Sequence, residues 1–100
     1  MIDPDEIGLS TAKTSRRLIL ETLQKSHPAG ASERVVIGVL NYCGIPATTN
    51  DVKRHLAYLE EKGLIKITDR DRSIWEAKIT ASGIDIMERE TKTPPGIAEG

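Results

Sequence analysis

The chain has no Phe, one Trp and two Tyr among its 100 residues, so aliphatic side chains, chiefly Ile and Leu, must fill its core. Its single cysteine, Cys43, cannot form an intrachain disulfide, and there is no Cys-x-x-Cys pair. The longest apolar runs, Leu18-Ile19-Leu20 and Val35-Val36-Ile37, fall far below the ~20 residues of a membrane span. Met1-Ile2-Asp3-Pro4-Asp5-Glu6 is acidic where a secretory signal would be basic, so a cytoplasmic protein without membrane association is expected. Excess charge of one sign is also missing. Fourteen Lys+Arg against fifteen Asp+Glu leave a net charge of −1, which excludes a nonspecific basic coat for nucleic acid. No Gly-x-Ser-x-Gly, glycine-rich phosphate loop or His-Glu-x-x-His occurs, so neither an enzyme nor a cofactor is expected. His27 and His55 lack a third ligand at suitable spacing, so no metal is expected either.

With 38% hydrophobic residues the chain can bury a core, and its length fits one domain. A chain this short buries only about 60–65% of its unfolded surface, which makes homodimerisation a reasonable expectation. Residues 1–12, with three acids and no bases, form an acidic lead-in. Pro94-Pro95-Gly96 marks residues 93–100 as a tail, because that run cannot continue a helix. The folded domain is expected over residues 13–92.

Within it, Ile19, Leu20 and Leu23 give a first helix over about Ser15–Lys25 an apolar stripe. Ser32 is a suitable cap for a second helix, on which Val35, Val36, Val39, Leu40 and Cys43 form one broad apolar face. That face predicts a buried, unreactive Cys43. Gly44 suits the left-handed residue after a helix, and Pro46 prevents continuation. A third helix starts at Thr48-x-x-Asp51, a capping-box pattern, with Thr49 as an alternative cap, and Gly63 closes it. Leu64–Thr68 and Ser73–Ile79 read as two strands, with Asp69-Arg70-Asp71-Arg72 at the hairpin tip. Thr80 or Ser82 caps a last helix carrying Ile84, Ile86 and Met87, the expected place for a dimer contact. The fold class is therefore mainly α with a small β-hairpin (α+β). Helix, helix, helix, hairpin, helix, with a tight turn before the third helix, is the order of a winged helix-turn-helix.

On the third helix Val52, Leu56 and Leu59 face inward, with His55 beside that stripe. Asn50, Lys53, Arg54, Ala57 and Glu61 fall on the opposite side. Thr48, Thr49, Asn50, Lys53 and Arg54 gather hydroxyl, amide and cationic groups at the amino end, which suits phosphate and base-edge contacts. Asn50 and Arg54 are the candidates for base edges and Lys53 for a phosphate. Glu60 and Glu61 at the far end would repel phosphate. A solvated, ordinarily capped helix face is the competing reading. Arg70 and Arg72 at the hairpin tip are candidates for backbone or minor-groove contacts, though Asp69 and Asp71 cancel their charge. Arg16 and Arg17 open the first expected helix, where the helix dipole disfavours cations, which points to an anionic partner. Trp75 reads as a core or dimer residue.

The run Asn50–Ile65 resembles the helix-to-wing passage of winged-helix regulators, with Leu56-x-x-Leu59-x-x-x-Gly63-Leu64-Ile65 matching their pattern. Ile79-Thr80-Ala81-Ser82-Gly83 is similar to the segment that follows the wing in many of them. From about Arg16 to Pro95 the chain resembles small proteins of Mu-like phages and prophages. The shared features are Leu40-x-x-x-Gly44, the run from Leu56 to Leu64, a Trp on the second wing strand and a Pro-Gly-rich tail. That resemblance implies a phage or bacterial context and a DNA-binding winged helix, though Lys53 and Arg54 are few bases for such a helix. The expected function is double-stranded DNA binding by a homodimeric transcription regulator. The alternative is a protein-interaction module of phage assembly or host contact.

The net charge is unevenly distributed. Residues 13–75 hold eleven bases against seven acids, flanked by acidic stretches on both sides. That surplus of four predicts modest affinity for DNA per monomer, which makes a dimer or a non-DNA partner the more necessary.

Overall fold

A computed structural model describes the backbone of residues 4–92 and the side chains of residues 11–89. The tail expected over residues 93–100 lies outside the described residues, as do residues 1–3. The elements are α1 (Pro4–Ser26), β1 (Ala31–Ser32), α2 (Glu33–Tyr42), α3 (Thr49–Glu61), β2 (Ile65–Thr68), β3 (Glu76–Ile79) and α4 (Ala81–Lys92). The fold is α+β: four helices and a small antiparallel sheet among the described residues. No helix among them is long and apolar enough to cross a membrane.

α1 is longer than the apolar stripe alone predicts, because Pro4-Asp5-Glu6 is itself good helix-start chemistry. Proline suits the first helical position, and acids suit the positive end of the dipole. The lead-in is thus helical from Pro4, and Arg16 and Arg17 lie mid-helix rather than at its start. At mid-helix that pair meets no unfavourable dipole end, so its position does not point to an anionic partner.

α2 and α3 both end in the same device. Gly44 and Gly63 take positive φ angles of 84° and 78°. Ile45 N donates to Leu40 O at 2.8 Å and Gly44 N to Asn41 O at 3.0 Å. Leu64 N donates to Leu59 O at 3.0 Å and Gly63 N to Glu60 O at 2.9 Å. These are paired Schellman closures, which satisfy the last carbonyls and turn the chain sharply. The first sets up the turn into α3, and the second feeds α3 directly into β2.

The sheet order is β1-β3-β2, both pairings antiparallel. β1 has no sequence signal: two residues are too few to show alternation. On β2 and β3 the alternation holds, with Ile65, Ile67, Ala77 and Ile79 inward and Lys66, Glu76 and Lys78 outward. Register places Lys66 directly opposite Lys78 on the outer face. β3 begins at Glu76, later than the expected Ser73, so residues 69–75 form a long connecting loop.

The core gathers Ile19, Leu20 and Leu23 of α1, Val36 and Leu40 of α2, and Val52, Leu56 and Leu59 of α3 against the inner sheet face and Met87. Each such burial contributes about 1.5–3 kcal/mol. The broad face expected on α2 is only partly used. Val35 is 50% exposed and Cys43 is exposed, because on a ten-residue helix Val36 and Leu40 already fill the contact with the core. The expected burial of Cys43 is thereby corrected.

α4 begins at a cap that also holds it to the rest. Thr80 Oγ1 accepts from Gly83 N at 3.1 Å and donates to Gly63 O at 2.7 Å. Gly83 is buried at the crossing: a Cβ there would lie 2.3 Å from Leu64 O and 2.6 Å from Ile79 Cγ1. Met87 is buried and Ile84 packs on the core, so much of the apolar surface expected at a dimer contact is occupied within the chain.

Candidate nucleic-acid interface

The amino end of α3 is built by its cap. Asp51 N donates to Thr48 Oγ1 at 3.1 Å, and Thr48 N donates to Asp51 Oδ2 at 3.0 Å, a complete capping box. Thr48 is therefore the cap. Its hydroxyl and the Asp51 carboxylate hold the helix start. The Thr48 hydrogen bonds, followed by the Arg54 guanidinium, keep the Asp51 carboxyl below the usual carboxylate range. Arg54 hydrogen-bonds to Asp51 Oδ1 and stays 77% exposed. Thr49 and Asn50 are exposed beside it. Thr49, Asn50 and Arg54 thus form one outward, hydrogen-bonding surface around the first turn.

Lys53 has a different place from the one its spacing predicts. Its Nζ donates to Ser73 O at 2.7 Å, lies 3.7 Å from Glu33 Oε1 and sits over the Trp75 ring at 5.2 Å. It ties α3 to the hairpin loop. Glu33, the first residue of α2, is 2% exposed, and its carboxylate accepts a hydrogen bond from Trp75 N. Glu33 N donates in return to Trp75 O at 2.9 Å. A glutamate following a cap looks solvated in sequence. The group that buries it arrives 42 residues later.

Trp75 is the platform of the loop. Its Nε1 donates to Arg70 O at 2.9 Å, and Arg70 stacks over its ring at 5.0 Å. Arg70 also lies 3.6 Å from Glu60 Oε1, while Glu60 Oε2 accepts from Ile67 N at 2.9 Å. The Glu60 carboxylate, expected only to repel phosphate, holds the hairpin to α3. Asp69 takes a positive φ of 55° at the turn, and Arg72 N donates to Asp69 O at 2.9 Å. Arg72 is exposed, and Arg70 remains 52% exposed despite its contacts.

Arg16 and Arg17 belong to another grouping. With Lys13 they border an open cavity of about 390 Å³ between α1, α3 and α4, floored by Leu20, Leu59 and Met87. Arg16 stacks on the Tyr58 ring at 4.2 Å, and Lys62 approaches the same ring at 5.4 Å. His55, half-buried nearby, is held below the ordinary imidazole value by burial, then by Arg16, with Asp51 opposing and Arg54 adding to the shift.

The structure therefore gathers Thr48, Thr49, Asn50, Lys53, Arg54, Arg70 and Arg72 at α3 and its hairpin loop, and sets Arg16 and Arg17 at the border of a separate cavity. Among the described residues no group of three His, Cys, Asp or Glu is placed to hold a metal ion. In comparisons with known proteins, no family model, curated protein or solved structure matches the chain.

Proposed function

We propose that the chain is a winged helix-turn-helix protein that binds double-stranded DNA, as a homodimeric transcription regulator of phage or prophage context. On this reading α3 is the reading helix and the β2–β3 hairpin is the wing. The observation that carries it is the joint presentation of α3 and the hairpin loop. Lys53, hydrogen-bonded to Ser73 O at 2.7 Å, fixes the loop beside the exposed Thr49–Asn50–Arg54 surface. The element order and the β1-β3-β2 sheet support the same assignment. Asn50 and Arg54 contact base edges, Arg70 and Arg72 contact the backbone or minor groove, and Thr49 a phosphate. Lys53 acts as the brace of the wing.

Fluorescence anisotropy with duplex DNA from upstream of its own gene, at several salt concentrations, tests the proposal. Arg54→Ala is expected to cost about 1–3 kcal/mol on the preferred sequence and little on others. Equal binding to all sequences, unchanged by Arg54→Ala, would overturn it. Sedimentation at micromolar concentration tests the dimer.

One observation favours a protein-interaction module instead. On α2, Val35 is 50% and Tyr42 93% exposed, with Val39 between them at helical spacing. Such a stripe suits a protein partner. Recovery of a phage or host protein that is lost on Tyr42→Ala, with Arg54→Ala harmless, would favour that reading.

A further inference from the structure

The cavity between α1, α3 and α4 combines two properties that water alone does not use. Its floor is apolar, from Leu20, Leu59 and Met87, and its border carries Lys13, Arg16 and Arg17, with no carboxylate among the described lining residues. Its volume of about 390 Å³ falls within the ~300–1,000 Å³ of small-molecule sites. Arg16 is held in place at the border by stacking 4.2 Å from the Tyr58 ring centre, and Lys62 adds a further cation 5.4 Å from the same ring. Cations bring long aliphatic stems to an apolar wall while keeping their charges at its mouth.

We infer that this cavity binds a soluble organic carboxylate with an unbranched or flat apolar body, its headgroup between Lys13 and Arg16 and its body over Leu20, Leu59 and Met87. A neutral molecule of the same body would leave the charges of Lys13 and Arg16 unmatched. A cationic one would be repelled by it. A short inorganic anion would leave the floor uncovered. Charge and shape together select an anionic amphiphile. The inference does not depend on DNA binding, and its test contains no DNA.

Decanoate, decanol and decyltrimethylammonium, each below its aggregation limit, are titrated by calorimetry into the full chain. Amide shifts are followed in parallel by NMR. Decanoate is expected to bind about tenfold or more tightly than decanol, and decyltrimethylammonium more weakly than either. Shifts should centre on Leu20, Tyr58, Leu59 and Met87. The double variant Lys13→Gln, Arg16→Gln should bring decanoate down to the affinity of decanol and leave decanol unchanged. Equal affinity for decanoate and decanol, or decanoate shifts centred on Val35 and Tyr42, would overturn the assignment. So would co-sedimentation with phosphatidylglycerol vesicles while free decanoate fails to bind, which would make the border a membrane contact. If the double variant does not fold, the headgroup series on the unmodified chain still decides.

Discussion

Replacing Glu33 separates the contribution of its charge from that of its shape. The carboxylate is 2% exposed, accepts from Trp75 N and lies 3.7 Å from Lys53 Nζ. Breaking a fully buried ion pair costs about 3–5 kcal/mol, because the partner charge is left uncompensated. Lys53 is 25% exposed and retains Ser73 O and the Trp75 ring, which reduces that cost. Glu33→Ala removes the acceptor as well as the charge, so a loss of about 2–3 kcal/mol is expected. For a chain of 100 residues that lowers Tm by about 10–20 °C. Glu33→Gln keeps an oxygen for Trp75 N and loses only the charge, so about 1 kcal/mol is expected. Urea unfolding of both variants, and of Lys53→Met alone and combined with Glu33→Ala, completes a double-mutant cycle. A coupling of about 1 kcal/mol or more should link the two positions. A coupling near zero, or Glu33→Ala within about 0.5 kcal/mol of wild type, would refute the claim that the buried Glu33 carboxylate and Lys53 stabilise one another between α2 and α3.

Two glycines should respond in opposite directions to the same change. Gly83→Ala forces a methyl against Leu64 O at 2.3 Å and should destabilise by about 1–3 kcal/mol in thermal unfolding. Gly38→Ala, mid-helix with nothing within 4 Å of a Cβ, should stabilise by about 0.5–1 kcal/mol. Thr48→Ala removes one half of the capping box and should cost about 1 kcal/mol, while exposed Thr49→Ala should cost far less. His55 has a folded value below its ordinary 6.5, so the unfolded chain takes up its proton first as pH falls. Stability should therefore decline as pH drops below about 6.5 toward the folded value, and His55→Gln should flatten that part of a Tm-against-pH curve.

What was legible in the sequence is local. The capping box at Thr48, the left-handed Gly44 and Gly63, and the inward set Val52, Leu56 and Leu59 each depend on neighbours a few residues away. Their physics is complete within one turn. Cys43 and Val35 show the limit of periodicity: the wheel groups them with Val36 and Leu40, but how much of a face is covered depends on the neighbouring elements. Lys53 shows a second limit. A long side chain beside the core stripe can lie back over a neighbour, and that neighbour, Trp75, sits 22 residues further along. Glu33 and β1 were invisible for the same reason, since both exist only through pairing with residues near 75. Of the candidate interface, the exposed Thr49, Asn50 and Arg54 could be read in advance, while the network that fixes the hairpin could not.

β1 is the smallest element, yet it closes a neck. Ala31 and Ser32 pair with Ala77 and Glu76, and Glu33 and Trp75 exchange hydrogen bonds immediately inside that pairing. All of α2, α3 and β2 lies between the two sides of the neck, with α1 packed against α2 and α3. Opening the neck releases one end of that segment while the β2–β3 ladder holds the other, so its amides should share one opening event only when both give way. In hydrogen-exchange terms α3 and the hairpin are expected to behave as one cooperative unit. The two residue pairs of β1, the least conspicuous part of the sheet, are among the contacts that must part for it to open.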